Sequence, residues 1–209
     1  MPSPYDDYSD WYDSVVRSGT IVHDAAMRTV TRLAGDVTNQ RICDIGCGQG
    51  VAARAFADRG ARVVGIDTAG KLLAIARAEE ETRVRGIEYV EMSAADLTMM
   101  APESFDGAIC NLALMDIDDL VGTSRSIRHI LKVHGWFAFT IMHPCFQTSD
   151  SHWVTDDKSP GRLVRAYFVE GRWTSKNSEG MRTRVGSVHR TLSSYLNTLS
   201  ANGLLLERL

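Results

Sequence analysis

Residues 41–50 read RICDIGCGQG, a short β-branched run that passes directly into three glycines at every second position. The next ten residues, VAARAFADRG, have helical spacing and end at Gly60. The segment therefore predicts a strand, a glycine turn and a helix. A glycine turn in this place lets backbone N–H groups approach a ligand closely, and the N-terminus of the following helix adds partial positive charge. We expect a ligand to bind at this turn.

The same alternation of strand and helix continues along the chain. Upstream, Thr20 is placed to cap a helix that ends at Gly35. Short strands separated by helices need right-handed crossovers, which predict an α/β fold with a doubly wound, mostly parallel Rossmann-like sheet and helices on both faces. The predicted elements after the turn are RVVGI (62–66), KLLAIARAEE (71–80), IEYVE (87–91), FDGAIC (105–110), DLVGTSRSIRHILK (119–132) and GWFAFTIM (135–142).

The chain of 209 residues is of a size for one domain. After the fifth strand the pattern breaks into an irregular flap with one predicted hairpin, RAYFVEGRWT (165–174), turning at Glu170 and Gly171. The segment HRTLSSYLNTLSANG (189–203) predicts a last helix, and LLLERL (204–209) predicts a sixth strand. We expect an N-terminal lid and helix at 1–35, a cofactor-binding core at 36–145, the flap at 146–186 and a last helix and strand at 187–209.

Charge and composition exclude several classes of protein. The net charge of −3 gives no strong attraction to nucleic acid, and no apolar run approaches the 18 residues of a membrane span. The N-terminus lacks the features of a signal peptide, so we expect a cytoplasmic protein. The four cysteines show no CxxC spacing, so we expect the chain to have neither a structural metal site nor disulfides.

Acidic residues close to the glycine turn indicate which ligand it holds. Val51 stands where a dinucleotide fingerprint has its third glycine, which disfavours a nicotinamide cofactor. Asp44 precedes the turn and suits a ligand with an ammonium group. Asp67 closes the second strand, where a carboxylate can accept both ribose hydroxyls, and Asp96 follows the third strand, where it can receive the amine of adenine. Each has a structural alternative: a cap of the turn, a helix N-cap and a solvated loop residue, respectively.

These residues are where the chain resembles a known family. Residues 42–146 are similar to the class I S-adenosylmethionine-dependent methyltransferases, through ICDIGCGQG, VVGIDTAGKLLAIAR, SAADL and FDGAICNLALMDIDDL. The stretch RHILKVHGWFAFTIMHPCF resembles the subgroup that includes ubiquinone and menaquinone methyltransferases. The resemblance implies S-adenosyl-L-methionine as cofactor, held at its amino-acid part by Gly46, Cys47 and Gly48, at its ribose by Asp67, at its adenine by Ala95, Asp96 and Leu97, and at its methionine backbone by Asn111 and Leu112, with Thr68 and Leu72 as further contacts.

The N-terminal run YDDYSDWYD (5–13) is rich in aromatic rings. We expect Trp11 to contribute to the cofactor site, because such rings can face a sulfonium through cation–π attraction. The alternative is an aromatic cluster that packs on the sheet.

The methyl acceptor should lie beyond the carboxyl ends of the fourth and fifth strands. Displacement at an activated sulfonium carbon needs alignment more than a base, so a catalytic base is optional. If a proton must be taken, His143 and His189 are the candidates, and packing at the strand end and the helix end is the alternative for each.

The leading hypothesis is an enzyme that methylates a small organic acceptor. Another transferase or a decarboxylase using the same cofactor stays open, as does a non-catalytic cofactor-binding scaffold or partner-dependent subunit. The resembling family normally adds a sixth strand and an antiparallel seventh, whereas LLLERL can supply only the sixth. Three explanations stay open: the natural chain continues beyond residue 209, a partner strand completes the sheet, or the short edge is tolerated. An open sheet edge would favour association, for example as a homodimer.

Overall fold

A computed structural model describes residues 3–156, 159–176 and 180–209. Its centre is a five-stranded sheet in the order β3-β2-β1-β4-β5, and every pairing is parallel. The doubly wound α/β fold predicted from the alternation is confirmed. The strands are β1 (Arg41–Ile45), β2 (Arg62–Asp67), β3 (Glu88–Glu91), β4 (Phe105–Asn111) and β5 (Leu131–Thr140).

Seven α-helices lie within the described part of the chain: α1 (Ser9–Arg17), α2 (Ile21–Ala34), α3 (Val51–Ala57), α4 (Gly70–Thr82), α5 (Leu120–Ile130), α6 (Met181–Arg184) and α7 (Leu192–Ala201). The caps read from the sequence form as expected at α2. Thr20 Oγ1 accepts a hydrogen bond from the His23 N–H at 3.1 Å, and Gly35 ends the helix with φ of 67°. The side chain of Thr191 caps α7 in the same way, accepting from the Ser194 N–H at 3.2 Å.

Helices cover both faces of the sheet because successive strand residues point to opposite sides. Ile42 of β1 packs in one core cluster with residues of α2, α3 and α4, among them Phe56. Cys43, its neighbour in β1, packs in the other cluster with residues of α5 and α7, including Ile127 and Tyr195. Both strand residues are fully buried, so β1 is apolar on two faces, as a central parallel strand must be.

The fifth strand starts earlier than predicted. Leu131 lies inside the predicted helix of residues 119–132, yet it pairs with Phe105 of β4 and opens β5. The register then shifts before Gly107 pairs with Trp136, and His134 in the shifted segment has φ of 64°. A β-bulge therefore absorbs the residues between α5 and the regular part of the strand.

The flap contains two small antiparallel sheets that the sequence did not indicate: β6 (His152–Asp156) with β7 (Ser159–Leu163), and β8 (Gly171–Trp173) with β9 (Ser187–His189). The hairpin predicted at 165–174 is wrong, because Gly171 pairs with His189 inside a strand. Glu170 makes no turn either. Its carboxylate accepts from the Thr191 N–H at 2.7 Å and from the Ser194 hydroxyl at 2.6 Å, which ties it to the start of α7.

The sixth strand predicted at 204–209 does not form. Leu204 N–H still bonds to the carbonyl of Leu199, closing α7, but the residues that follow have no regular structure. Leu205 is 81% exposed and Leu209 is 86% exposed. Among the described residues no strand pairs with the outer edge of β5, so residues 204–209 stay outside the sheet. That edge instead borders a groove of about 1170 Å³ lined by α2, β5 and the C-terminal segment.

The described chain offers neither a membrane span nor a metal cluster. None of its helices has the length and apolarity to cross a bilayer. No three metal-binding side chains come together in the same residues, and all four cysteines are free thiols.

Gly46 is required at its position for two reasons. Its φ is 67°, and a Cβ on it would lie 2.5 Å from Cβ of Ala113 in the loop after β4. Gly19 has a similar φ of 73° but no atom within 4 Å of an added Cβ. We therefore expect Gly46→Ala to cost backbone strain plus overpacking, at least about 1 kcal/mol more than Gly19→Ala. Denaturant unfolding of both variants measures the difference, and equal losses would show that the Ala113 contact carries no cost.

Candidate functional site

The site forms at the carboxyl ends of β1, β2 and β4, where the glycine turn of residues 46–50 leaves β1. The turn is held from below, since Gly46 N–H and Cys47 N–H both donate to the Ile66 carbonyl of β2 at 2.9 and 3.0 Å. The Cys47 thiol is buried, so the backbone is the part of this residue that borders the site. Leu72 packs beneath the turn, 3.7 Å from where a Cβ on Gly48 would lie.

Asp44 is a buried carboxylate at the base of the turn. It is only 1% exposed, and its Oδ2 atom has no hydrogen-bond partner among the described residues. Burial raises the pKa of Asp44 to about 7, and the nearby Asp67 contributes to the rise. An ionised carboxylate in such surroundings is costly without a counter-charge. The unpartnered Oδ2 fits a ligand ammonium, as the sequence predicts, and a backbone hydrogen bond from Ala53 of α3 means that the same carboxylate also has a capping role.

Asp67, at the end of β2, holds the glycine turn and α4 together. Its Oδ2 accepts from the Gly48 N–H and its Oδ1 accepts from the Ala69 N–H, both at 2.8 Å. Burial raises the pKa of Asp67, and these backbone hydrogen bonds oppose the rise. Asp67 therefore does cap the start of α4, as the structural alternative proposed. A carboxylate has about four lone-pair positions, which leaves both oxygens able to accept from ribose hydroxyls as well.

Residues 95–97 lie on a 3-10 turn that follows β3. Ser93 starts this turn by accepting from the Ala95 N–H at 3.2 Å, and Ser126 of α5 donates to the Ala95 carbonyl at 2.6 Å. Leu97 is fully buried, whereas Asp96 is exposed. The turn thus presents one free carboxylate beside a fixed backbone, an arrangement that can receive an adenine amine. Thr68, on the neighbouring loop after β2, is exposed as well.

The loop after β4 lies directly on the glycine turn. Asn111 accepts from the Thr140 hydroxyl at 2.7 Å, and the Leu112 N–H donates to the Thr140 carbonyl at 3.1 Å. Leu112 has φ of 58°, a left-handed conformation that a leucine adopts only at a cost. Such strain is common where backbone borders a ligand, and the predicted site residues of β4 are thereby held at the same edge as Asp44 and Asp67.

The N-terminal segment covers this edge through a ring other than the predicted one. Within the N-terminal segment the ring beside the turn is that of Tyr12, whose Cε1 lies 4.0 Å from a Cβ placed on Gly48. Trp11 faces away toward the flap, with the Arg184 guanidinium 4.6 Å from its ring centroid. The Asp6 carboxylate accepts from the Lys71 N–H at 2.9 Å, which fixes the segment to the start of α4.

A buried charge cluster that the sequence did not reveal joins three distant segments. The Asp116 carboxylate, after β4, pairs with the guanidinium of Arg182 on α6. The Tyr5 hydroxyl donates to the other oxygen of Asp116 at 2.9 Å. Burial raises the pKa of Asp116, and the Arg182 charge opposes the rise. One carboxylate thus connects the N-terminal segment and the flap to the loop after β4.

The two histidines predicted as bases both have engaged ring nitrogens. His143 is exposed, and its Nδ1 accepts from the Cys145 N–H at 3.2 Å, so a neutral ring carries its proton on Nε2. His189 lies within strand β9, not at the start of a helix, and is 4% exposed. Its Nδ1 is 3.0 Å from the Gln147 carbonyl and its Nε2 is 2.7 Å from the Tyr167 carbonyl. The lone pair of a neutral His143 ring accepts a backbone N–H, and both His189 nitrogens face carbonyl oxygens, so neither ring is placed to take a proton from an acceptor and the geometry favours roles in holding the flap.

Comparison with known proteins adds independent evidence. A family model described as a methyltransferase domain matches residues 43–139. The chain is 30% identical to an S-adenosylmethionine-dependent methyltransferase of known structure from Mesorhizobium loti, with a TM-score of 0.75, covering 88% of this chain and 81% of that one.

Two curated relatives are ubiquinone biosynthesis O-methyltransferases. The one from Albidiferax ferrireducens is 33% identical over 108 residues, which is 51% of this chain and 43% of the relative. The one from Paracidovorax citrulli is 34% identical over 105 residues, which is 50% of this chain and 44% of the relative. The match thus spans less than half the length of these relatives.

The raised pKa of Asp44 makes stability depend on pH. Because the folded protein holds this proton up to about pH 7 and the unfolded chain loses it near 3.8, stability falls as pH rises between those values. Asp44→Asn should remove that contribution, which amounts to at most about 1.4 kcal/mol per pH unit. Urea unfolding at several pH values between 4 and 7 measures the slope.

The matched control is Asp58→Asn at an exposed site. Arg85 lowers the pKa of Asp58 through a hydrogen bond, so that carboxylate contributes with the opposite sign. The control variant should therefore keep the decline or steepen it slightly. An unchanged slope in Asp44→Asn would contradict the assignment of Asp44 as an unpaired buried acid.

Proposed function

Because the chain belongs to the class I S-adenosylmethionine-dependent methyltransferases, we propose that it methylates a small organic acceptor by in-line displacement. The observation that carries this proposal is the closure of the site by two segments that meet on Asp116. Tyr5 of the N-terminal segment and Arg182 of the flap both bind that carboxylate, beyond the end of β4. A site closed on two sides by the chain itself suits a small molecule better than a polymer.

The cofactor is S-adenosylmethionine, and when bound it supplies a methyl group on a positively charged sulfur. We assign the unpaired carboxylate of Asp44 to its ammonium group and the free lone pairs of Asp67 to its ribose. Asp96 receives the adenine amine, with Leu97 as apolar support. The remaining cofactor contacts in this proposal are backbone and packing contacts from Gly46, Cys47, Gly48, Thr68, Leu72, Ala95, Asn111 and Leu112, with Tyr12 in the covering segment in the role expected of Trp11.

The chain's contribution to the reaction is alignment and exclusion of water. Displacement at carbon needs the acceptor atom, the methyl carbon and the sulfur in line, and fixing that geometry removes much of the entropic barrier. The strained backbone at Leu112 and the ring of Tyr12 border the place where this must occur. No general base is required by this proposal. His143 and His189 stay predictions as bases, since either would first have to give up a backbone hydrogen bond.

The net charge of the chain, like the closure of the site, supports a small-molecule acceptor. A net charge of −3 provides no overall attraction for a polyanion, so nucleic acid is a poor candidate. The Albidiferax ferrireducens relative is named for O-methylation in ubiquinone biosynthesis, which makes phenolic hydroxyls a sensible first group to test. The scaffold alternative is not favoured, because the named relatives are methyltransferases.

An acceptor screen tests the proposed function. The purified protein is incubated with S-adenosylmethionine and separate sets of phenols, amines and acidic carbon compounds, and S-adenosylhomocysteine formation is followed. We expect turnover with at least one small acceptor, and Asp44→Asn should weaken cofactor affinity by about tenfold in calorimetry because a charge-assisted contact is lost. Methyl transfer only to RNA or protein, with cofactor affinity intact, would overturn the small-molecule assignment.

We also propose that a second copy of the chain covers the open edge of β5. The groove along this edge is lined by apolar groups of α2, β5 and the C-terminal segment, and Val133 on the strand is 63% exposed. An edge strand offers unpaired backbone groups, and a twofold axis would set the same edge antiparallel to itself. The contact would bury apolar surface that is otherwise in water.

Sedimentation velocity tests this association. The unmodified chain should sediment as a dimer at micromolar concentration, and Val133→Lys should shift it to monomer, because a lysine on an edge strand opposes pairing. Val84→Lys is the matched control, since Val84 is 80% exposed in the loop between α4 and β3, outside the groove. A monomer at all concentrations for the unmodified chain would refute the dimer.

A further inference from the structure

A second, much smaller cavity lies beyond the carboxyl ends of β4 and β5. Its volume is about 10 Å³, room for one group the size of a water molecule. Met115 from the loop after β4 and Met142 from the loop after β5 form one side. Ser187 and Arg190, from β9 and the residue after it, and Tyr195 of α7 form another. The acceptor end of a doubly wound sheet is where this cavity sits.

Arg190 is the unusual residue in this lining. It is only 9% exposed, yet no carboxylate in the described part of the chain forms a salt bridge with it. Its Nη2 donates to the carbonyls of Ile117 and Asp118, at 2.8 and 2.6 Å. Its Nη1 is buried and has no hydrogen-bond partner among the described residues. A buried guanidinium with an idle donor and no counter-charge is destabilising unless a ligand supplies both.

The acidic side chains nearby already have partners. Asp118 offers Arg190 only its carbonyl, because its carboxylate binds Arg172 at 2.6 Å. Asp116 is taken by Arg182 and Tyr5. Tyr195 also lies beside Arg190, with its ring centroid 5.7 Å from the guanidinium carbon; burial raises the pKa of Tyr195, and a hydrogen bond with Arg190 opposes the rise, but this hydroxyl is neutral and supplies no counter-charge. The cavity thus borders a positive charge that the protein itself does not neutralise.

We propose that Arg190 binds an anionic oxygen of the methyl acceptor, a carboxylate or a phenolate, in this cavity. The inference rests on the proposed function, since it names the class of acceptor for the same site. The cavity admits one oxygen atom, so the body of the acceptor lies outside it. Arg190 is then a positioning residue that selects small organic acids and phenols by a charge-assisted hydrogen bond from Nη1.

Binding of charged and neutral probe pairs tests the proposal without any methyl transfer. With S-adenosylhomocysteine at saturation, calorimetry compares benzoate with benzamide, and 4-nitrophenolate with nitrobenzene. We expect at least one anion to bind about tenfold or more tightly than its neutral counterpart, because only the anion neutralises Arg190. Which pair shows the preference distinguishes a carboxylate from a phenolate.

Two arginine variants identify the residue responsible. Arg190→Met should remove the preference for the anion, and Arg190→Lys should retain part of it, because a buried charge remains. Arg172→Gln is the control: Arg172 lies in β8, pairs with Asp118 at the surface and is 47% exposed, so its loss should leave the preference intact. S-adenosylhomocysteine affinity serves as the folding check for every variant.

The outcomes separate this proposal from the proposed function. Equal binding of anion and neutral probe to the unmodified protein, or no binding of either, would mean that the cavity holds water only and would overturn the role of Arg190. A preference that survives Arg190→Met in a variant with normal S-adenosylhomocysteine affinity would overturn it too. An acceptor screen that finds turnover with neutral compounds alone would refute the acceptor class while leaving methylation of small molecules in place.

Discussion

Asp67 accepts one backbone N–H from each side of the site, from Gly48 in the glycine turn and from Ala69 before α4. These two hydrogen bonds fix the end of β1 relative to the end of β2. They thereby also set where the following helices, α3 and α4, begin. Gly46 then has to be a glycine, because the loop after β4 packs at 2.5 Å from any Cβ there. The ends of three strands are thereby held in one place, with Oδ2 of Asp44 left without a hydrogen-bond partner among the described residues.

The sheet could be predicted because its strands and helices follow from local, periodic patterns of apolar residues in the sequence. A central strand such as β1 carries apolar residues on both faces, the longer helices are amphipathic, and Thr20 and Gly35 bound α2 by ordinary capping chemistry. Asp44, Asp67 and Asn111 could be placed at one edge because parallel strands all end there. The family resemblance added the nature of the ligand, which periodicity alone does not contain.

The flap was harder to predict because tertiary contacts decide its structure. Glu170 looks like a turn residue, but hydrogen bonds to Thr191 and Ser194 draw it to α7, so the next residues pair with β9. Arg182 and Arg190 gave no signal beyond their charge, since their partners are 66 to 73 positions away in the chain. The apolar residues 204–209 have the pattern of a strand, but a strand also needs backbone hydrogen bonds to a neighbouring strand, and these residues belong to no sheet.

Asp116 is bound by Ser187 and by two side chains from nearly opposite ends of the chain, Tyr5 and Arg182. If either segment moved away alone, the buried Asp116 carboxylate would lose one of these hydrogen-bonding partners while still shielded from water. We therefore expect the N-terminal segment and α6 to move away from Asp116 together rather than one at a time. Under the proposed function, cofactor entry and product release would then share one opening motion, and the rate of that motion would set an upper limit on turnover.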